Sequence, residues 1–226
     1  MKPGKILIFF LATSILYLGL ILVDASSVAW YLKPLLLPAL FLAVFFSETF
    51  RNRALLLAAL VFSWIGDVVL MFADRGQWFF IGGLLAFLIA HVVYMVLFTR
   101  EKRPYPTLYR NAIRWGFTAI LLYLVGMLNM LMPYLGPLQV PVVVYAFTIS
   151  VMLATAFIGF SAWPTPAKYQ ILIGAILFVL SDSILAFDKF YEPVWMASFF
   201  IMFTYLGAQY FIVRGVLALH LKRNIP

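Results

Sequence analysis

Eight runs of about 20 mostly apolar residues fill this chain, punctuated by Arg, Lys, Pro and Gly, near 5–23, 33–50, 54–73, 78–99, 112–132, 140–160, 169–187 and 194–216. A helix rising about 1.5 Å per residue crosses a ~30 Å hydrocarbon core in about 20 residues. Composition points the same way: 65% of the residues are hydrophobic and 11% charged, with a mean hydropathy of +1.05, whereas a soluble domain carries about 25% charged residues. Lipid is the expected solvent. The expected fold is all-α: a polytopic bundle of eight transmembrane helices forming one integral membrane domain over residues 1–226.

Lys2 and Lys5 precede an apolar run that ends near Val23-Asp24-Ala25, which also has the shape of a signal peptide. Removing it would leave seven spans and put the basic termini on opposite sides, so the charge pattern retains it as the first span. With the N-terminus inside, 13 of the 16 basic residues fall on inner segments, and the outer segments hold only Lys33, Arg75 and Lys189. The positive-inside rule then places both termini in the cytoplasm. The net charge of +8 is thereby a signal of topology and not of a nucleic-acid partner. In a bacterial chain the expected location is the plasma (inner) membrane. Cysteine is absent, which excludes disulfides, thiolate nucleophiles and cysteine-ligated metals.

Within the spans, acids are few and well placed. Asp67 lies in Phe62–Phe72 and Asp182 in Phe178–Phe187, each followed three residues later by Leu and five later by Phe. Ala90-His91 on the fourth span is echoed by Ala208-Gln209 on the eighth. Four spans separate the copies, so a parallel 4+4 internal repeat would bring the two acids to similar depth. Both lie 13 residues past the expected starts of their spans, roughly 20 Å from the inner edge. Carboxyl groups at lipid depth are costly and mark function by default.

Other residues are read more modestly. Pro34 is expected near the start of the second span, where a proline is tolerated, and Glu48 is expected to pair with Arg51 or Arg53 at the interface. Ser63 precedes Asp67 by one turn, and Gly66 allows close approach of a neighbouring helix. Asp74-Arg75-Gly76 reads as a tight hairpin between spans three and four. His91 and Tyr94 share a face of span four, and His91 is the only histidine expected within a span. Arg100–Arg114, with five basic residues, Pro104 and Pro106, reads as a cytoplasmic hinge. Spans five and six offer Asn129, Thr148, Ser150 and Thr155, which are commonly interhelical polar contacts. Tyr205 and Gln209 share a face of span eight.

Two carboxyls facing each other in a low-dielectric pocket do not both ionise easily, so one keeps its proton and the other loses it. That is an acid–base pair, able to protonate an unsaturated or leaving group while the partner activates water. Ser181 and Ser183 flank Asp182, but no Gly-x-Ser-x-Gly elbow exists. One His and two Asp on three helices make an unspecific metal set. Other readings stay open: a proton-coupled carrier of lipid or small solute using both acids as protonation sites, an intramembrane aspartyl protease, whose Gly-x-Gly-Asp signature is missing here, and a purely structural bundle.

The order and spacing of several motifs carry a resemblance. Leu32-Lys33-Pro34-Leu35, Gly66-Asp67-Val68-Val69-Leu70, the run Ala86 to Tyr94, Ser181-Asp182-Ser183-Ile184-Leu185, and Tyr205 with Ala208-Gln209 resemble the YhhN-like family of eight-span membrane proteins, whose characterised members are lysoplasmalogenases. The resemblance covers most of the chain from span two to span eight. It implies a lysophospholipid substrate, cleaved at the vinyl ether bond to a fatty aldehyde and glycerophosphoethanolamine or glycerophosphocholine. Such a cleavage needs one acid, one base and no cofactor. On this expectation Asp67 and Asp182 are catalytic, His91 and Tyr94 orient water or a carboxylate, and Ser181, Ser183, Tyr205 and Gln209 line the pocket. Lys33 and Lys189 hold the phosphate at headgroup level.

Overall fold

The computed structural model describes residues 3–101 and 110–221, without the side chains of 110–113 and 221. Lys2, the central part of the basic hinge (102–109) and the tail residues Lys222 and Arg223 lie outside the described residues. Among the described residues the chain forms eight α-helices and no strand: α1 (Pro3–Leu22), α2 (Ser26–Phe45), α3 (Arg53–Leu70), α4 (Gln77–Arg100), α5 (Arg110–Leu131), α6 (Gln139–Phe160), α7 (Ala167–Phe190) and α8 (Ala197–Leu221). By length and composition, all eight are apolar enough to cross a membrane. The chain divides into two compact units, residues 1–97 and 98–226.

In the first unit, α1 buries Ile6, Phe10, Ser14 and Tyr17, which recur at helical spacing on one stripe. Its other face exposes Ile8, Phe9, Ile15 and Leu16. A helix apolar on all sides is the form expected where lipid replaces water on the outer face. Leu36, Leu37 and Leu40 of α2, Leu56 and Leu60 of α3, and Tyr94 and Leu97 of α4 are buried. A short 3-10 turn over Ala73–Arg75 joins α3 to α4, as the Asp74-Arg75-Gly76 signal predicts, and Arg75 stacks over Phe72 at 4.8 Å.

The second helix departs from expectation. It begins at Ser26, seven residues before Lys33, so Pro34 and Pro38 lie in its interior. Pro38 has no N–H to give the carbonyl four residues earlier, which leaves the Pro34 carbonyl without its helical donor. The indole of Trp64 on α3 supplies one, donating Nε1–H to Pro34 O at 2.8 Å. Neighbouring side chains commonly re-satisfy proline-freed backbone in membranes. The helix also stops earlier than expected, at Phe45. There the Arg53 guanidinium donates to Phe45 O at 3.2 Å and Ser47 O at 3.4 Å, serving terminal carbonyls that have no intrahelical donor. Trp64→Phe removes the donor to Pro34 while keeping an aromatic ring. It is expected to cost about 1–3 kcal/mol, read as a lower melting temperature of the purified protein in detergent.

In the second unit, α7 and α8 pack along a seam of small residues. A Cβ at Gly174 would meet Ala208 O and Ile212 N, each at 2.9 Å, and one at Gly215 would meet Ile171 Cγ1 at 2.6 Å. At the end where α7 meets α8, Val194 N–H donates to Asp188 Oδ1 at 2.9 Å and Tyr134 meets Tyr191 edge to face. At the opposite end, Trp163 donates Nε1–H to Glu101 O at 3.1 Å, and His220 Nε2 lies 3.2 Å from Glu101 Oε1. Because α8 runs on to Leu221, His220 falls within a span helix, so His91 is not the only histidine so placed.

Candidate functional site

Each unit carries one of the two aspartates. In the first unit Asp67 is 5% exposed and lies 14 residues past Arg53, the start of α3. Ser63, one turn earlier on the same face, is fully buried. Gly66 explains how α4 comes so close: a Cβ there would stand 2.6 Å from the Phe87 ring. Together with the contact between Gly83 and Leu70, this sets an antiparallel register that pairs residue 66 with 87 and residue 70 with 83. His91 then falls level with Ser63, one turn further along the bundle than Asp67. His91 and Tyr94 are both fully buried. From α1, the Tyr17 hydroxyl, also buried, lies within the electrostatic reach of the Asp67 carboxyl.

In the second unit Asp182 is partly exposed and borders a cavity of about 50 Å³ between α5, α6 and α7. Tyr145 donates its hydroxyl to Asp182 Oδ2 at 2.5 Å. Ser183 commits its only proton to Val179 O at 2.5 Å, so the Tyr123 hydroxyl is the donor in its own bond to Ser183 Oγ. Tyr123, Tyr145, Asp182 and Ser183 thus form one polar edge on a cavity otherwise walled by residues such as Leu124, Met127, Val142 and Ile149. Such an arrangement holds one oxygen of a carboxyl group beside a small, mostly apolar space.

The other expected residues fall elsewhere. Ser181 turns to α8 and donates to Ile201 O at 3.0 Å, which is a helix-to-helix bond. Tyr205 packs edge to face on Phe178 of α7, and Gln209, one turn further along α8, is fully buried. None of these three is among the residues lining the cavity beside Asp182. Lys33, expected at the outer end of its span, sits in α2 seven residues past Ser26 and half-buried, about 10 Å along the helix. Its ammonium reaches headgroup level only by snorkelling. Lys189 is exposed in the last turn of α7, where a cation also complements the helix dipole.

Tyr123 and Tyr145 are the residues the sequence reading misses, since it assigned spans five and six only ordinary contacts. A signal was present. Tyrosines in membrane helices favour the interface, yet Tyr123 lies eight residues before Leu131 and Tyr145 six residues after Gln139. Both are about 9–12 Å inside their helices, the same depth as Asp182, eight residues before Phe190.

The profile of the YhhN family matches residues 28–216, from the first turn of α2 almost to the end of α8. The chain belongs to the YhhN family. A bovine (Bos taurus) protein named lysoplasmalogenase TMEM86A is 31% identical over 179 residues, covering 74% of this YhhN protein and 67% of the relative. The human (Homo sapiens) lysoplasmalogenase TMEM86B is 31% identical over 188 residues, or 80% and 73% of the two chains. A lysoplasmalogenase of Mycobacterium tuberculosis is 30% identical over 175 residues, or 73% and 61%. The chain spans about two thirds of the length of the curated relatives it matches. No solved structure matches it. Family and helices together make this YhhN protein an integral, multi-pass membrane protein.

Proposed function

We propose that this YhhN protein hydrolyses the vinyl ether bond of lysoplasmalogens, releasing a fatty aldehyde and a glycerophosphoethanolamine or glycerophosphocholine. The observation that carries the reading is the match to mammalian and mycobacterial proteins of that name across most of the chain. The residues present suit the chemistry. An acid protonates the alkene carbon, leaving an oxocarbenium-like carbon bonded to oxygen. Water adds there while a base takes its proton, and the resulting hemiacetal collapses to aldehyde and glycerol hydroxyl. In that collapse the protonated base gives its proton to the departing glycerol oxygen and the hemiacetal O–H proton returns to the deprotonated acid. One water is consumed and both carboxyl groups are restored.

Asp67 and Asp182 are the proposed acid and base. Tyr145 is a positioning residue, since its hydroxyl holds Asp182 Oδ2. His91 and Tyr94 on α4 orient water or a carboxylate, and the Tyr123 hydroxyl is held on Ser183 at the edge of the cavity beside Asp182. Lys33 and Lys189 meet the substrate phosphate, and both termini lie in the cytoplasm with the aspartates in the outer half of the membrane.

The test is aldehyde release from a lysoplasmalogen by purified protein in detergent. Without a compartment, a carrier yields no product, so aldehyde separates the two readings, and none from folded protein sinks the hydrolase. Tyr145→Phe removes the hydroxyl held by a carboxyl group, an interaction worth about 1.5–3 kcal/mol. The expected loss in kcat is roughly 10- to 100-fold, with KM little changed. A KM effect alone would make Tyr145 a binding residue.

A further inference from the structure

The mechanism leaves unused an open apolar groove of about 190 Å³ between α2 and α3, lined by Leu37, Pro38, Phe41, Leu60, Val61 and Trp64. Pro38 of α2 forms part of its wall, and the Trp64 bond to Pro34 O at 2.8 Å ties the two helices together beside it. The edge-to-face contact of Trp30 with Phe72 continues the same antiparallel seam towards the start of α2. Across this seam residue 30 meets 72 and residue 34 meets 64, so Lys33 comes level with Asp67.

Two helical stripes run along the seam. On α2, Trp30, Lys33, Leu37 and Phe41 recur at i, i+3, i+7 and i+11. On α3, Leu60, Trp64 and Asp67 recur at i, i+4 and i+7. By this register a cation on α2 and an acid on α3 are level with each other beyond one end of the apolar groove. Beyond them, at the start of α2, Ser26, Ser27, Trp30 and Tyr31 border a wider opening of about 440 Å³. The volume of the groove slightly exceeds the ~150 Å³ that accepts a benzene-sized ligand, which suits part of one alkyl chain.

We infer that this groove seats the single alkyl chain of a lysolipid, with Lys33 drawing the phosphate to the outer end and the bond nearest the glycerol lying at the level of Asp67. The inference rests on the lysolipid reading above and adds to it the place of the chain. Charge chooses the direction: the phosphate belongs at the Lys33 end, and the chain runs from there towards Phe41 and Leu60.

Binding can be read without turnover. The probe is a lysophosphatidylethanolamine with an ordinary ester-linked chain brominated at mid-length, titrated into the protein in detergent, with tryptophan fluorescence as the signal. The expected result is a saturable quench that disappears in Trp64→Phe. Lys33→Ala should raise the half-saturation about tenfold for this probe and leave unchanged the quench by a brominated long-chain alcohol, which has no phosphate. Val61→Phe, which fills the groove and does not touch the Trp64 bond, should weaken both probes. Quenching that grows without saturation, persists in Trp64→Phe or ignores Val61→Phe would overturn the groove assignment. Equal saturation by a brominated diacyl phosphatidylethanolamine would overturn the commitment to a lysolipid. Saturable quenching without aldehyde release keeps the groove and removes the hydrolase, while aldehyde release without Trp64 quenching does the reverse.

Discussion

Asp67→Asn and Asp182→Asn should each lower aldehyde release by about 10²–10⁴-fold, the range in which a positioned general acid or base contributes. Asparagine keeps the volume and planarity of the side chain and removes its capacity to carry or accept the transferred proton. Packing around Asp67, between Ser63 and the Phe87 ring against Gly66, is preserved by that exchange. So is the capacity to accept the Tyr145 hydroxyl at position 182. Residues that act as one catalytic unit are strongly non-additive, so the double variant should be little worse than the poorer single one. Rates that multiply in the double variant would instead mean two independent roles. Full activity in either single variant would remove that aspartate from the chemistry, leaving the family assignment untouched.

Gly174→Val is expected to be the most damaging change to the fold. The added Cβ would lie 2.9 Å from two backbone atoms of α8, Ala208 O and Ile212 N. Backbone cannot turn aside as a side-chain tip can, so α7 and α8 must separate. Overpacking of this kind costs typically 1–3 kcal/mol and occasionally more, a fall in melting temperature on the order of 10 °C for a chain of this size. Gly126→Val on α5, where nothing lies within 4 Å of the new Cβ, is the control and should melt close to the parent. Because α7 also carries Asp182, activity in Gly174→Val should fall with the fold. Thermal shift and size-exclusion in detergent read both variants.

The eight spans were legible because each needs only a run of about 20 apolar residues, a property of composition more than of packing. The hairpin at Asp74-Arg75-Gly76 was legible for the same reason, as punctuation. What could not be read was anything decided by a partner helix. Pro34 and Pro38 argue locally for a helix start, yet the helix runs through both, and the Trp64 indole across the seam supplies the donor that the Pro34 carbonyl loses. Trp64 itself sits inside an apolar run and gives no sign that its N–H is committed. Gly174 and Gly215 look like ordinary small residues until the α8 backbone is placed against the first and α7 against the second. Tyr145 and Tyr123 show the other kind of loss, in which depth counting along each helix would have matched them to Asp182 although neither is charged.

The bond between Trp64 and the Pro34 carbonyl also bears on how the protein enters the bilayer. Alone in hydrocarbon, α2 would carry two carbonyls, those of Trp30 and Pro34, whose helical donors are replaced by proline nitrogens. Polar backbone left bare in lipid costs several kcal/mol, so α2 gains when α3 arrives with its indole. The two are therefore expected to leave the translocation machinery as a hairpin, with α2 waiting at the protein–lipid boundary until α3 has been synthesised. In that order of events, a side chain near the middle of the third helix governs the membrane insertion of the second.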